Sequence, residues 1–102
     1  MSKITPILSR VEKTETSLVF SGVIDFRSVP ALLAQMPESS PAETVLDLSK
    51  TRKIDSAGLA FLINWGNQNL ASDQKIRLRG ANAKAQKLID IMRLKSVFEI
   101  LV

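Results

Sequence analysis

An aspartate–serine pair in the stretch KIDSAGLAFLINWG (residues 53–66) is the part of the chain whose residue types suggest chemistry. Asp55 ends an apolar lead-in, and Ser56 stands where a helical run begins. A serine nucleophile needs a base that accepts its proton and a group that orients that base. The chain has no histidine and no cysteine, and its S-A-G context differs from a nucleophile elbow. We therefore expect no catalytic residue and no enzymatic activity.

Two other roles for Ser56 remain open. As a helix N-cap, its hydroxyl oxygen would accept a hydrogen bond from a backbone N–H of the first turn. As a phosphorylation site, it would place a phosphate where free N–H groups and the helix dipole favour an anion. Asp55 would repel that phosphate, so the modification would change the local surface sharply.

The helix predicted after Ser56 has two distinct faces, since successive residues turn by about 100°. The face expected to pack on a sheet consists of Leu59, Leu62, Ile63, Gly66 and Leu70. The other face consists of Ala57, Phe61, Asn64 and Gln68, with Trp65 at its margin. A neighbouring helix could cover the two aromatic residues, or they could form an exposed anchor for a partner. We favour exposure, because aromatic side chains among small polar ones are typical of binding hot spots.

The surrounding pattern predicts an α/β fold in one domain, residues 1–102. The predicted elements are strands at 4–12 and 17–24, a helix at 29–36, a strand at 44–49, a helix from 57 to about 72, a strand at 75–80 and a helix at 82–94. A polar turn joins the first two strands as a hairpin, and Ser28 is placed to cap the first helix. Residues 97–102 could add a strand or pack as a tail. This β-β-α-β-α-β-α(-β) order implies a mixed sheet with helices mainly on one side.

Composition excludes several classes of protein. Hydrophobic residues make up 45% and charged residues 24% of the 102, which is typical of a globular chain. The start lacks a secretion signal and no apolar run could span a bilayer, so we expect a cytoplasmic protein. Nucleotide-binding glycine motifs are absent, and three scattered carboxylates (Asp25, Asp47 and Asp55) are weak evidence for a metal site. We expect no cofactor.

The net charge of +4 is unevenly distributed, since residues 50–95 carry ten of the fourteen Lys and Arg residues. Such a basic half could face nucleic acid, anionic lipid or an acidic protein. No aromatic residues interleave with the basic ones in the manner of nucleic-acid-binding motifs. We therefore favour a solvated surface of mixed charge, and nucleic acid is not an expected partner.

Three segments together resemble the STAS domain family. They are LVFSGVID (18–25), TVLDLSKTRKIDSAGLAFL (44–62) and IRLRGANAKAQKLIDIMRL (76–94). The most specific part is the hydrophobic strand VLDLS, followed after a short polar loop by IDSAGL at a helix start. The third segment looks like the MlaB-type branch, which has L-x-G-[VA]-N before a helix that ends near a leucine.

Two branches of the family imply different partners. MlaB-type subunits sit on the cytoplasmic ATPase (MlaF-like) of a phospholipid ABC transporter and support its assembly and activity. The resemblance then implies a peripheral location at the inner membrane and indirect contact with the permease through the ATPase. The implied partner-binding residues are Asp55, Ser56, Ala57, Phe61, Asn64, Trp65 and Gln68. In the alternative branch, anti-sigma-factor antagonists, a partner kinase phosphorylates the serine at the position of Ser56.

Overall fold

The computed structural model describes residues 9–102. Its elements are β1 (Arg10–Lys13), β2 (Ser17–Ile24), α1 (Val29–Gln35), β3 (Val45–Ile54), α2 (Ser56–Asn69), β4 (Ile76–Arg79), α3 (Ala83–Ile91) and β5 (Phe98–Leu101). The predicted order is confirmed, and the final segment, for which a strand and a tail were both considered, forms the strand β5. Most of the first predicted strand lies outside the described residues, which include only its end.

The five strands form one mixed sheet in the order β1-β2-β3-β4-β5. β1 and β2 are the predicted antiparallel hairpin, which the bond from Thr14 N to Ser17 O closes at 2.9 Å. The remaining neighbours are all parallel, and each helix connects one strand to the next. Each of these connections moves to the next strand in the same direction across the sheet. Because such crossovers are right-handed, all three helices lie on the same face of the sheet. The predicted STAS-like α/β fold is confirmed.

One face of the sheet forms the core and the other carries charge. Leu18, Leu46 and Leu78 are aligned across β2, β3 and β4, and all are buried. The helices add Leu32, Leu62 and Ile89 to the same cluster, so α1, α2 and α3 all pack on that face. On the other face, Asp47 aligns with Arg79 and pairs with it at 3.5 Å. Side chains of β4 alternate in the same way, since Ile76 and Leu78 are buried and Arg79 is exposed, which is the period of two of a half-buried strand.

β3 is longer than predicted, since it spans Val45–Ile54 and not residues 44–49. Its second half reads S-K-T-R-K, a polar run that carries no apolar strand pattern. Tertiary contacts hold it extended: Lys50, Thr51 and Lys53 still pair with β2. Thr51 is buried, and its hydroxyl donates to the Phe20 carbonyl at 2.9 Å. β4, by contrast, pairs with β3 only from Val45 to Asp47, so β3 extends beyond its neighbour.

Candidate functional site

The start of α2 is built by Asp55 and not by Ser56. Asp55 has extended backbone angles, and its Oδ1 accepts a hydrogen bond from Gly58 N at 2.8 Å, which is N-cap geometry. Ser56 is the first helical residue, and its side chain is exposed. The N-cap interpretation of Ser56 was therefore wrong by one position. Asp55 caps the helix because it is the last extended residue before it.

Asp55 also connects this helix start to the loop between β2 and α1. Its second carboxylate oxygen, Oδ2, accepts from Phe26 N at 3.1 Å, and its own N–H donates to the Ile24 carbonyl at 3.2 Å. Gly58 allows this close packing, because a Cβ there would collide with the Ile24 carbonyl oxygen and lie 2.8 Å from Cγ1 of Ile54. The helix start and the loop thus form one connected surface.

Asp25 and Ser28 fix the shape of that loop. Oδ1 of Asp25 accepts from Arg27 N at 3.0 Å and from Ser28 N at 2.9 Å. The backbone N–H of Ser28 is the largest influence on the pKa of Asp25, which lies below its usual value although partial burial opposes the shift. Ser28 was predicted to cap α1, but its hydroxyl instead donates to the Val23 carbonyl at 2.7 Å and accepts from Asp25 N at 2.9 Å. Ser28 is thus the N-cap residue of α1, as predicted, but its side chain makes no capping hydrogen bond, because the loop uses the hydroxyl.

Phe26 projects from this fixed loop and is 76% exposed. Phe26 was not among the predicted site residues, because the helical pattern pointed to the aromatic residues of α2. The available signal was its position between Asp25 and Arg27, in a polar turn that carries no apolar periodicity. An exposed aromatic residue is therefore hydrogen-bonded through its backbone to Asp55 at the start of α2, but it comes from a loop and not from α2 as expected.

Phe61 and Trp65 belong to the core. Only 6% of Phe61 and 5% of Trp65 is exposed, and the ring of Phe61 meets that of Phe20 edge to face at 6.1 Å. A narrow depression that they line is also lined by Leu33, from α1, and by the residues that follow α1. The favoured prediction of an exposed aromatic anchor was wrong, and the alternative of cover by a neighbouring helix is confirmed. Helical angles within α2 could not reveal that cover, because it comes from other elements: Phe20 of β2 and the residues in and after α1.

The remaining predicted partner-binding residues lie in two places. Ala57 is half-buried in the first turn, next to exposed Ser56. Asn64 and Gln68 are exposed and line the same depression between α1 and α2. We call Phe26, Asp55, Ser56 and Ala57 the helix-start surface. Of the predicted set, this surface thus includes three residues, while a polar pair lies farther along α2 and two residues belong to the core.

The carboxylates at the strand ends are engaged in local hydrogen bonds. Those of Asp25 and Asp55 accept from backbone N–H groups, as described above. Burial raises the pKa of Asp47, but hydrogen bonds from Ser49 and the nearby Arg79 outweigh it and bring the pKa below its usual value. Within residues 9–102, no group of three or more His, Cys, Asp or Glu residues is placed to hold a metal ion. None of the helices in that range is long and apolar enough to cross a membrane.

Comparison with protein families gives one match that covers almost the whole chain. The family model described as "Mlab, STAS domain" matches residues 8–102. The match includes all eight elements and the helix-start surface. A comparison with curated proteins gave no match.

Proposed function

Because the chain belongs to the STAS domain family, in its MlaB-type group, we propose that it binds and supports the cytoplasmic ATPase of a bacterial phospholipid ABC transporter. In this role it is a non-enzymatic subunit, and the transporter maintains the lipid asymmetry of the outer membrane. The chain lies at the cytoplasmic face of the inner membrane and contacts the permease only through the MlaF-like ATPase. A STAS domain of this type contributes a docking surface and no reaction of its own.

The observation that carries this proposal is the exposed ring of Phe26 beside the capped start of α2. An apolar ring that is 76% exposed gains free energy when a partner covers it. Its loop is held by Asp25, Ser28 and Asp55, so little conformational entropy is lost on docking. Small and polar neighbours, Ser56 and Ala57, let a partner approach the ring closely. These features are typical of a central anchor with a polar surround.

The proposed contacts differ from those expected from the sequence. Phe26 replaces Phe61 and Trp65 as the aromatic anchor, because those two residues pack inside the domain. Asp55 supports the anchor through its bond to Phe26 N, and Ser56 and Ala57 supply adjacent surface. Asn64 and Gln68 are exposed farther along α2 and extend the contact only if the ATPase covers that part of the helix.

Co-purification with the ATPase tests the proposal. The chain is expressed together with the ATPase and permease of a phospholipid transporter from the same organism, as wild type and as Phe26→Ala. We expect Phe26→Ala to weaken the complex by about tenfold or more, as truncation of a hot-spot aromatic residue does. The matched control is Ile91→Ala, which removes another exposed apolar side chain, 66% exposed, at the C-terminal end of α3. Equal binding of Phe26→Ala and wild type, or no complex in either, would contradict the proposal.

A second candidate function is an anti-sigma-factor antagonist that is switched by phosphorylation of Ser56. The observation that favours it is the exposed Ser56 side chain at the first position of α2, where a kinase has access. Mass spectrometry of the protein from its native cells distinguishes the two candidates. A stoichiometric phosphate on Ser56, together with binding to a kinase-like partner that Ser56→Asp abolishes, would favour the antagonist. Binding to the ATPase by an unmodified chain would favour the transporter subunit.

A further inference from the structure

A groove of about 450 Å³ lies between the second half of β3 and the start of α3. It is lined by Val23, Arg52, Lys53, Ile54, Asn82, Lys84 and Ala85. Phe26 and Ser56 are not among its lining residues, so it is a separate feature from the helix-start surface. Its volume is in the range of small-molecule sites in proteins.

The groove forms where β3 extends beyond the end of β4. Gly80, with φ of +75°, turns the chain out of β4 against β3, where a Cβ would lie 2.7 Å from Cα of Ser49. Asn82 then caps α3 by accepting a hydrogen bond from Ala85 N at 2.8 Å. The first turn of α3 therefore lies beside the part of β3 that carries Arg52 and Lys53. Packing thus brings together cations that are more than 30 positions apart.

The groove combines cationic donors with an apolar strip. Arg52 and Lys53 come from one wall and Lys84 from the other, while Val23, Ile54 and Ala85 supply apolar atoms. Among residues 9–102, the ion pairs within 4 Å join Arg79 to Asp47 and Lys95 to Asp90, so the three groove cations are outside any such pair. No acidic residue of that range lines the groove.

The nearest acidic influence on the groove comes from Asp25. Lys53 is close enough to contribute to the lowered pKa of Asp25, but Oδ1 of Asp25 accepts hydrogen bonds from the backbone of its own loop. The positive charge of the groove is therefore only partly offset. The residues that line it include one with a planar guanidinium and two with ammonium groups, the side chains that proteins use to bind phosphate.

We propose that this groove binds a phosphoryl group carried by a glycerophospholipid headgroup or by a small soluble phosphate ester. The three cations bind the phosphate oxygens, and the apolar strip contacts the carbon atoms attached to them. Single-stranded nucleic acids stack their bases on aromatic side chains. Among residues 9–102, none of the residues that line the groove is aromatic. The site uses residues outside the proposed ATPase contact, so it stands whether or not that contact is found.

Binding measurements on the full chain with three probes test the site. The probes are phosphatidylcholine vesicles with and without phosphatidylglycerol, glycerol 3-phosphate, and a single-stranded oligonucleotide. The groove variant Arg52→Gln/Lys84→Gln removes one cation from each wall. The matched control Lys50→Gln/Lys87→Gln removes the same charge from the same two elements at exposed positions that do not line the groove. Melting temperatures check that both variants fold, and Lys84→Gln alone replaces the double variant if it does not.

We expect the groove variant to lose about tenfold or more in affinity for a phosphate probe, because each lost charge-assisted hydrogen bond is worth about that factor. The control should change by less than about threefold, as expected for screened surface charge. Binding to the vesicles that contain phosphatidylglycerol, without binding to glycerol 3-phosphate, identifies the lipid headgroup as the source of the phosphoryl group. Binding to glycerol 3-phosphate identifies a soluble ester as the source. Either result supports the site. Equal losses in the two variants, tighter binding to the oligonucleotide, or no binding to any probe would overturn it.

Discussion

The carboxylate of Asp55 holds the backbone of Phe26, with Oδ2 of Asp55 accepting from Phe26 N at 3.1 Å across 29 positions of sequence. The other oxygen of the same carboxylate caps α2 by accepting from Gly58 N at 2.8 Å. One side chain thus fixes both a helix start and the loop that displays the exposed aromatic ring. Asp55 is therefore important for the proposed binding surface even where it makes no contact with the partner.

Asp55→Ala should weaken both structures that this carboxylate holds. We expect the free energy of unfolding to fall by about 1–2 kcal/mol, the usual cost of losing an N-cap. The amide of Phe26 should exchange its hydrogen faster, because its acceptor is lost. The measurements are urea unfolding and amide hydrogen exchange. Ser56→Ala is the control and should change stability by less than about 0.5 kcal/mol. If Ser56→Ala costs as much as Asp55→Ala, Ser56 and not Asp55 is the effective cap.

Trp65→Ala should destabilise the domain strongly, because it removes a large side chain that is 5% exposed. Truncation of a buried tryptophan or phenylalanine typically costs about 3–5 kcal/mol. Thermal and urea unfolding measure the effect. The neighbouring Asn64→Ala removes an exposed polar side chain and should stay within about 0.5 kcal/mol of wild type. A Trp65→Ala protein of wild-type stability would restore the exposed interpretation that the structure overturned.

Gly58→Ala should be destabilising, although the same substitution at an open helical position stabilises by about 0.4–1 kcal/mol. The added methyl group would meet the Ile24 carbonyl oxygen and the side chain of Ile54, so α2 would have to move away from the end of β2. We expect a loss of about 1–3 kcal/mol, as for overpacked cores. The sign of the change in urea midpoint is the test. A gain in stability would show that α2 does not press on β2.

Asp25 should make stability depend on acid pH. Its folded-state pKa lies below the unfolded value of 3.8, so ionised Asp25 stabilises the fold above pH 3.8, and this contribution is lost as pH falls through the lowered pKa. Asp25→Asn should lower the melting temperature at neutral pH by a few degrees and have less effect in strong acid. Thermal unfolding across that acid range measures the difference. Asp73→Asn, at an exposed position in the loop before β4, is the control. A deficit in Asp25→Asn that does not vary with pH would contradict the role of its charge.

The sequence was sufficient for the order of elements and placed the start of α2 to within one residue. The predicted strand at 75–80 is β4, and the helical spacing of apolar residues in α2 correctly placed Leu59, Leu62 and Gly66 among its buried residues. Gly66, on the predicted sheet-facing side, permits close approach of α2 to β4, since a Cβ there would lie 2.6 Å from Cδ1 of Ile76. These features depend on local periodicity, which one sequence contains in full.

Features that depend on neighbours distant in sequence were not predictable. The second half of β3 has a polar sequence, and pairing with β2 keeps it extended. Phe61 and Trp65 were assigned to the face of α2 away from the sheet, but the ring of Phe61 packs on Phe20 of β2, and α1 helps to cover both residues. Phe26 lies in a loop, where no periodic pattern indicates exposure. The groove cations Arg52 and Lys84 likewise meet only through packing.

Trp65 is the only tryptophan, and the chain has no tyrosine. When the protein is excited at the red edge of indole absorption, its intrinsic fluorescence therefore comes from the indole ring of Trp65. That ring lies in the core beside α1. Its emission wavelength reports whether α1 remains seated on α2, whereas far-ultraviolet dichroism reports all the helices and strands together. A red shift that precedes the loss of dichroism would reveal α1 opening as a separate step, without any label being added to the chain.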